Sequence, residues 1–133
     1  RKVPQTVWEG KDNTTKAFIL DVYGGECQIC GKTNAFDKPN GEPYVEGVYL
    51  VSRIKARAPY LDRPGNILSL CALCCAKMQH GVVARPDNLH ELILSLEGPD
   101  AEVPLRICGE YVQIRYSHRH LIDLQQLIRT DLE

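Results

Sequence analysis

The sequence predicts an α+β fold, in which short helices and antiparallel strands surround a metal site. Two kinds of periodicity lead to this prediction. Apolar residues spaced three or four positions apart predict amphipathic helices, whereas alternating apolar and polar residues predict half-buried strands. The third observation is the spacing of the cysteines, because two Cys-x-x-Cys pairs are typical of a small domain built around a metal ion.

Composition limits the class of protein. The 133 residues are 44% hydrophobic and 25% charged, which is enough to bury the core of one globular domain. No apolar run approaches the roughly 18 residues of a membrane-spanning helix, so we expect no membrane partner. A net charge of −1 argues against a surface that binds nucleic acid everywhere, although a local basic face is compatible with it.

The two ends of the sequence suggest its context. It begins at Arg1 without a methionine and shows no signal-peptide pattern, and a helical pattern runs from Leu121 to Glu133. We therefore expect an intracellular, cytoplasmic piece of a larger multidomain protein, taken from the C-terminal end of that protein.

The six cysteines are the most informative feature of the sequence. Two Cys-x-x-Cys pairs are separated by 40 residues. A tight turn within each pair can direct both sulfurs to one point, and Gly31 directly after the first pair permits the φ > 0 that such a turn needs. Four thiolates form the tetrahedral ligand set that Zn²⁺ prefers. The predicted ligands of this structural zinc ion are Cys27, Cys30, Cys71 and Cys74.

The cysteines also permit other interpretations. Cys75 could replace Cys74 as a ligand, since neighbouring side chains cannot easily point at one metal. Cys108 is interpreted as a small buried hydrophobic residue or as a turn residue. A disulfide framework is the alternative to a metal site, but such frameworks belong to secreted chains. A thioredoxin-like redox pair would need a βαβ context that the sequence lacks.

Residues up to 81 give one series of elements. The first helix is predicted from Asn13 to Tyr23 and stopped by two glycines. A β-rich segment covers 44–54, and a basic, proline-containing loop covers 56–66. A short strand over 67–70 leads directly into the second cysteine pair, and a helix follows from Cys74 to His80.

Residues 86–133 form what we call the appended unit. A short helix opens at Pro86 and ends at Gly98. Segments 103–107 and 110–116 alternate as the two strands of a hairpin. A last helix is capped by Ser117 and turns four apolar residues inward, namely Leu121, Leu124, Leu127 and Ile128. No linker separates this unit from the preceding residues, so we predict a single domain over 1–133.

Residues 14–81 resemble the treble-clef, zinc-bearing branch of the HNH endonuclease family. The resemblance is carried by FILDVYGGECQICG, at 18–31, and by GNILSLCALC, at 65–74. It implies a small treble-clef zinc core with the appended unit packed on it. It also implies metal-dependent DNA cleavage beside the zinc, in which a histidine deprotonates water and further side chains hold a divalent metal.

The chain departs from this family at its catalytic positions. Ser52 and Arg53 stand where the family has a pair of histidines, and Cys75 stands where it has a metal-binding histidine. Only Asn66, which pins the loop in that family, matches. Arginine cannot act as a base near neutral pH, and Ser52 would itself need a base. The sequence therefore predicts no catalytic residues, and whether Cys75 or His80 takes part in metal binding stays open.

Basic residues cluster in the loop beside the predicted zinc site, and they are predicted to contact phosphate: Arg53, Lys55, Arg57 and Arg63. An ordinary solvated loop is the alternative. The leading hypothesis is a zinc-stabilised, catalytically inactive HNH-like module that recognises nucleic acid or other domains of the same protein. Two alternatives are an active HNH-type DNA endonuclease and a purely structural protein–protein interaction module.

Overall fold

A computed structural model describes residues 13–32, 36–51 and 63–132, and these residues confirm the predicted α+β class. They form four α-helices and two small antiparallel sheets. The helices are α1 (Asn13–Tyr23), α2 (Ala72–His80), α3 (Leu89–Ser95) and α4 (His118–Leu132). The strands are β1 (Glu46–Tyr49), β2 (Ile67–Leu70), β3 (Val83–Ala84), β4 (Ala101–Ile107) and β5 (Glu110–Tyr116). None of the described helices combines the length and apolar character needed to cross a bilayer.

The first sheet pairs β1 with β2, so that Val48 lies opposite Leu68. The strand predicted over 44–54 is shorter than expected, because regular pairing covers only Glu46–Tyr49, and its residues beyond 51 lie outside the described ranges. The predicted α1 is confirmed at both ends. It stops after Tyr23 because Gly24 and Gly25 take φ values of 60° and 92°, which residues with a side chain rarely adopt.

The second sheet has the order β3-β4-β5. Its β4–β5 hairpin confirms the predicted one, although β4 begins at Ala101, two residues before the predicted start, and the turn is built from Cys108 and Gly109 with φ values of 52° and 82°. Cys108 is exposed, so its interpretation as a buried hydrophobic residue is wrong and its interpretation as a turn residue is correct. Strand β3 was not predicted, because two residues are too few to show a period.

A continuous apolar core joins the two sheets. It runs from Cys27 through Val48 and Leu68 to the inner face of the β4–β5 hairpin. The four residues of α4 that the sequence turns inward are each at most 1% exposed, namely Leu121, Leu124, Leu127 and Ile128. The appended unit therefore buries its apolar faces against the same core as the cysteine-bearing segments.

Helix α4 also lies directly on the 3-10 turn Pro64–Asn66 that precedes β2. The Gly65 N–H donates to one carboxylate oxygen of Asp123 at 2.6 Å, and Arg63 donates to the other at 2.7 Å. A Cβ atom on Gly65 would overlap the main-chain nitrogen of Leu124 and lie 2.6 Å from the carbonyl carbon of Asp123, so only glycine permits this approach. The turn is thus fixed by a helix that follows it by more than fifty residues.

Replacing Gly65 with alanine is expected to destabilise the protein by about 1–3 kcal/mol, because the added methyl group must push α4 off the turn. The free energy of unfolding, measured by chemical denaturation, checks this. Gln126→Ala is the control, since it alters an exposed position of the same helix and should change stability by less than about 0.5 kcal/mol. Equal stabilities for the two variants would contradict the close approach.

Candidate metal centre

The first cysteine pair lies in a tight turn directly after α1. The Cys27 N–H donates to the carbonyl of Lys32 at 2.9 Å, and the Gly31 N–H donates to the carbonyl of Cys27 at 2.9 Å. Gly31 takes the positive φ, 78°, that the sequence analysis expects at this position. The turn leaves Cys27 buried and Cys30 exposed, so one sulfur lies on the core side of the site and the other on the solvent side.

The second pair lies where β2 passes into α2. Cys71 occupies the N-cap position, and its Sγ accepts a hydrogen bond from the Cys74 N–H at 3.5 Å. The sequence predicted that this helix begins at Cys74, but α2 begins at Ala72. The earlier start is possible because the Cys71 sulfur accepts a hydrogen bond from an N–H group of the first turn. The positive end of the helix dipole favours negative charge on both sulfurs.

The two pairs meet, and the four sulfurs predicted as ligands all lie within 4.8 Å of one another. Sγ of Cys30 and Sγ of Cys71 are 3.7 Å apart. A disulfide bond would require about 2.05 Å, whereas sulfurs at the corners of a tetrahedron with metal–sulfur bonds of ~2.3 Å are separated by about 3.8 Å. All six cysteines are free thiols. The cluster therefore has the size and donor set of a four-coordinate metal site.

Burial and the neighbouring thiols oppose full ionisation of the cluster in the absence of a cation. Burial raises the pKa of Cys74, and the neighbouring Cys27 raises it further. The pKa of Cys30 is raised by burial and then by the thiols of Cys27 and Cys71. For Cys27, burial acts to raise the pKa, but main-chain N–H groups of Cys30, Cys71 and Ile29 outweigh it and lower the pKa. A divalent cation at the centre would remove the repulsion that opposes ionisation of the whole set.

The remaining candidate residues of this region lie outside the cluster. Cys75 is buried in the core, where burial raises the pKa of its thiol to about 11, so the geometry selects Cys74 as the partner of Cys71. His80 lies at the exposed end of α2 and is not among the grouped ligand atoms. Within the described ranges, no second group of three or more His, Cys, Asp or Glu side chains could hold a metal ion.

Asn66 is fully buried, and its side chain forms the two hydrogen bonds that a paired strand would otherwise offer to the main chain of Val51. Its Oδ1 accepts from the Val51 N–H at 2.7 Å, and its Nδ2 donates to the Val51 carbonyl at 2.9 Å. The side chain thus fixes the main chain where it leaves β1. The next residue is Ser52, which lies outside the described residues, as do three more of the predicted positions: Arg53, Lys55 and Arg57. Their predicted roles stay predictions.

Arg63 is the one member of the predicted basic group that the structure describes. Its guanidinium forms an ion pair with the carboxylate of Asp123 at 2.7 Å, and about a third of its side chain is exposed. The contact joins the turn before β2 to α4. A phosphate at Arg63 would have to compete with this carboxylate, so the residue contributes to the fold whether or not it binds nucleic acid.

The sequence did not predict a buried polar cluster around His120. The Nε2–H of His120 donates to the Pro64 carbonyl at 2.7 Å, because a carbonyl can only accept. Nδ1 therefore accepts, and the Tyr23 hydroxyl donates to it at 2.7 Å. The imidazole stacks on Tyr116 with ring centres 4.6 Å apart. The predicted cap of α4 is confirmed, since Ser117 Oγ accepts from the His120 N–H at 3.2 Å.

Gln28, between the two cysteines of the first pair, extends this cluster. Its Oε1 accepts from the Ser69 N–H at 2.7 Å, and its Nε2 donates to the Arg115 carbonyl at 2.8 Å. The first cysteine pair is thereby tied to β2 on one side and to β5 on the other. A long amide side chain inside a Cys-x-x-Cys pair is the only sequence signal of this link, and it is a weak one.

Comparisons of the chain with protein-family models, with curated proteins and with solved structures give no match. The resemblance to the HNH endonuclease family stays a prediction from the two sequence motifs. What the structure adds is that the four cysteines of those motifs converge at one point.

His120 is expected to be neutral at pH 6, in the Nε2–H form. Burial lowers its pKa to about 4, even though the hydrogen bond to Pro64 and the charge of Asp123 act in the other direction. An unfolded-state imidazole, with a pKa near 6.5, is roughly three-quarters protonated at pH 6. Nitrogen chemical shifts of the imidazole distinguish the two states, and an imidazolium spectrum for His120 at pH 6 would contradict the burial described here.

The same difference predicts a pH dependence of stability. Below pH 6.5 the His120 imidazole is protonated in the unfolded chain, whereas in the folded chain it stays neutral down to a pH of about 4. The stability contributed by neutral His120 is therefore complete above pH 6.5. The free energy of unfolding is expected to fall by about 3 kcal/mol as the pH is lowered from 6.5 to 4. His120→Asn is the control, because it cannot titrate and should remove this component of the pH dependence.

Proposed function

We propose that the protein is a zinc-stabilised, non-catalytic recognition module with an HNH-like treble-clef core. The observation that carries the proposal is the convergence of four cysteine sulfurs within 4.8 Å. Tetrahedral thiolate sites bind zinc or iron–sulfur clusters, and Cys-x-x-Cys pairs on a turn and on a helix N-terminus are typical of structural zinc. Four protein ligands leave no open coordination position, so the metal would stabilise the fold and would not activate water.

The arrangement of elements supports the treble-clef assignment. The first cysteine pair follows α1 in a tight turn, and the second pair begins α2 after the β1–β2 sheet. This is the order that the resemblance implies. The use of free thiols as ligands fits a reducing compartment, which is consistent with the intracellular location proposed from the sequence.

Three observations support the absence of catalysis. The described residues offer no second ligand group for a catalytic metal. The imidazole of His120, which contacts the Pro64–Asn66 turn, is buried and hydrogen-bonded through both nitrogens. Cys75, at the position where the family has a histidine, is packed into the core. An active endonuclease is the second candidate, because Asn66 holds Val51 as the resemblance would require.

The purified chain is expected to contain one zinc ion per molecule, measured by elemental analysis. Structural zinc contributes about 10–16 kcal/mol of apparent binding free energy in comparable peptides, so metal binding and folding should be a single event. Cys27→Ser and Cys71→Ser should therefore lose both the metal and the folded circular-dichroism spectrum. Cys108→Ser is the matched control, because this exposed thiol lies outside the cluster. A folded, metal-free Cys27→Ser protein would refute the proposal.

No cleavage of supercoiled plasmid is expected with Mg²⁺ or Mn²⁺. The reason is the lack of a second ligand group in the described residues, together with Ser52, Arg53 and Cys75 at the catalytic positions. Gel electrophoresis after incubation with each metal checks this. Metal-dependent nicking that disappears in His80→Ala, a substitution at an exposed helix end, would instead establish the endonuclease.

A further inference from the structure

The three-stranded sheet has one buried face and one face turned to solvent. Side chains alternate along β4 and β5, so that Val103, Leu105 and Ile114 point into the core. The opposite side chains are exposed, and we call them the outer face: Glu102, Arg106, Tyr111, Gln113 and Arg115. Cross-strand pairing places Arg106 opposite Tyr111, and Arg115 opposite Glu102.

Tyr111 is the most exposed large hydrophobic residue in the described part of the chain, at 82%. The guanidinium carbon of Arg106 lies 5.1 Å from the centre of its ring. At this exposure the tyrosine ring buries little apolar surface. The guanidinium of Arg106 therefore lies over one face of the Tyr111 ring, and the high exposure of this residue leaves the rest of the ring accessible.

The charge of the outer face is also uneven. Arg106 and Arg115 stand at the two ends of a row that contains Tyr111 and Gln113, and Tyr111 and Arg115 are about 13 Å apart along β5. Arg115 donates to the Cys27 carbonyl at 3.4 Å, which holds its guanidinium beside the first cysteine pair. The outer face carries two arginines and one acidic residue, Glu102, so its net charge is positive. Among the described residues no ion pair joins Glu102 to Arg115.

We propose that the outer face binds single-stranded nucleic acid. One base would stack on Tyr111, the phosphates would lie against Arg106 and Arg115, and the Gln113 amide would reach a base edge. Exposed aromatic residues on an open sheet, flanked by cations, are suited to this ligand because unpaired bases offer their faces, whereas a duplex encloses them. This assigns a ligand and a binding surface to the recognition role proposed above. The inference rests on that proposed function, because it requires a folded, zinc-bound chain.

The test is fluorescence anisotropy of labelled eight-nucleotide single strands, of DNA and of RNA, and of the corresponding DNA duplex, at about 50 mM salt. Zinc content is measured on the same sample. Single strands should bind more tightly than the duplex, and comparison of DNA with RNA shows whether the 2′-hydroxyl contributes. With two phosphate contacts, the logarithm of the association constant should fall by roughly 1.4 per tenfold rise in salt.

Variants separate stacking from simple attraction. Tyr111→Ala should weaken binding at least about fivefold, and Tyr111→Phe should retain it, because the ring is preserved. Ile122→Ala is the control, since it removes another exposed apolar side chain, from α4. Arg106→Ala should weaken binding and lower the salt dependence, while Arg129→Ala, at an exposed position of α4, should do neither. Upfield shifts of the Tyr111 ring protons on binding would report the stacking itself.

Two results would overturn the inference. If the zinc-loaded, folded chain binds no single strand at about 50 mM salt, the outer face is left to a protein partner, and the zinc proposal stands. If single strands bind but Tyr111→Ala and Ile122→Ala bind equally well, the nucleic acid lies elsewhere on the chain. A sample without zinc would instead contradict the proposed function, so the two failures are distinguishable.

Discussion

Each Cys-x-x-Cys pair must present two sulfurs to the same point, and the main chain can do this in few ways. The first pair does so through a turn that depends on the left-handed Gly31, and the second does so by ending β2 and starting α2 at Cys71. The β1–β2 pairing, which places Glu46 opposite Leu70, then fixes the main chain immediately before the second pair. Sheet, turn and helix are thus arranged around the requirements of four sulfurs.

Buried polar groups fix the position of the appended unit relative to this centre. His120, Tyr23 and Gln28 together use main-chain partners on the Pro64 turn, on β2 and on β5. Burial raises the pKa of Tyr23 to about 12, so its hydroxyl keeps the proton that it donates to His120. Removing one member would leave its buried partners without a hydrogen bond, which is costly, whereas apolar packing alone would tolerate small shifts of α4.

Local patterns were enough to predict the elements that dominate the fold. The apolar periodicities of α1, β4, β5 and α4 and the cysteine spacing each have one dominant interpretation, and the structure agrees with them. The misses have a common cause. Strand β3 exists only because β4 offers it an edge, and His120 is buried only because a turn more than fifty residues earlier supplies its acceptor. Neither the pairing partner of a short strand nor the burial of a polar residue can be predicted from the adjacent residues of the sequence.

The placement of Asp123 and His120 on α4 has a consequence for the order in which the chain folds during synthesis. All four cysteines of the cluster have been translated once Cys74 is made. The Pro64–Asn66 turn, however, receives the carboxylate and the imidazole that hold it only some fifty residues later. During synthesis, the four cysteines are therefore available before the side chains that hold the turn.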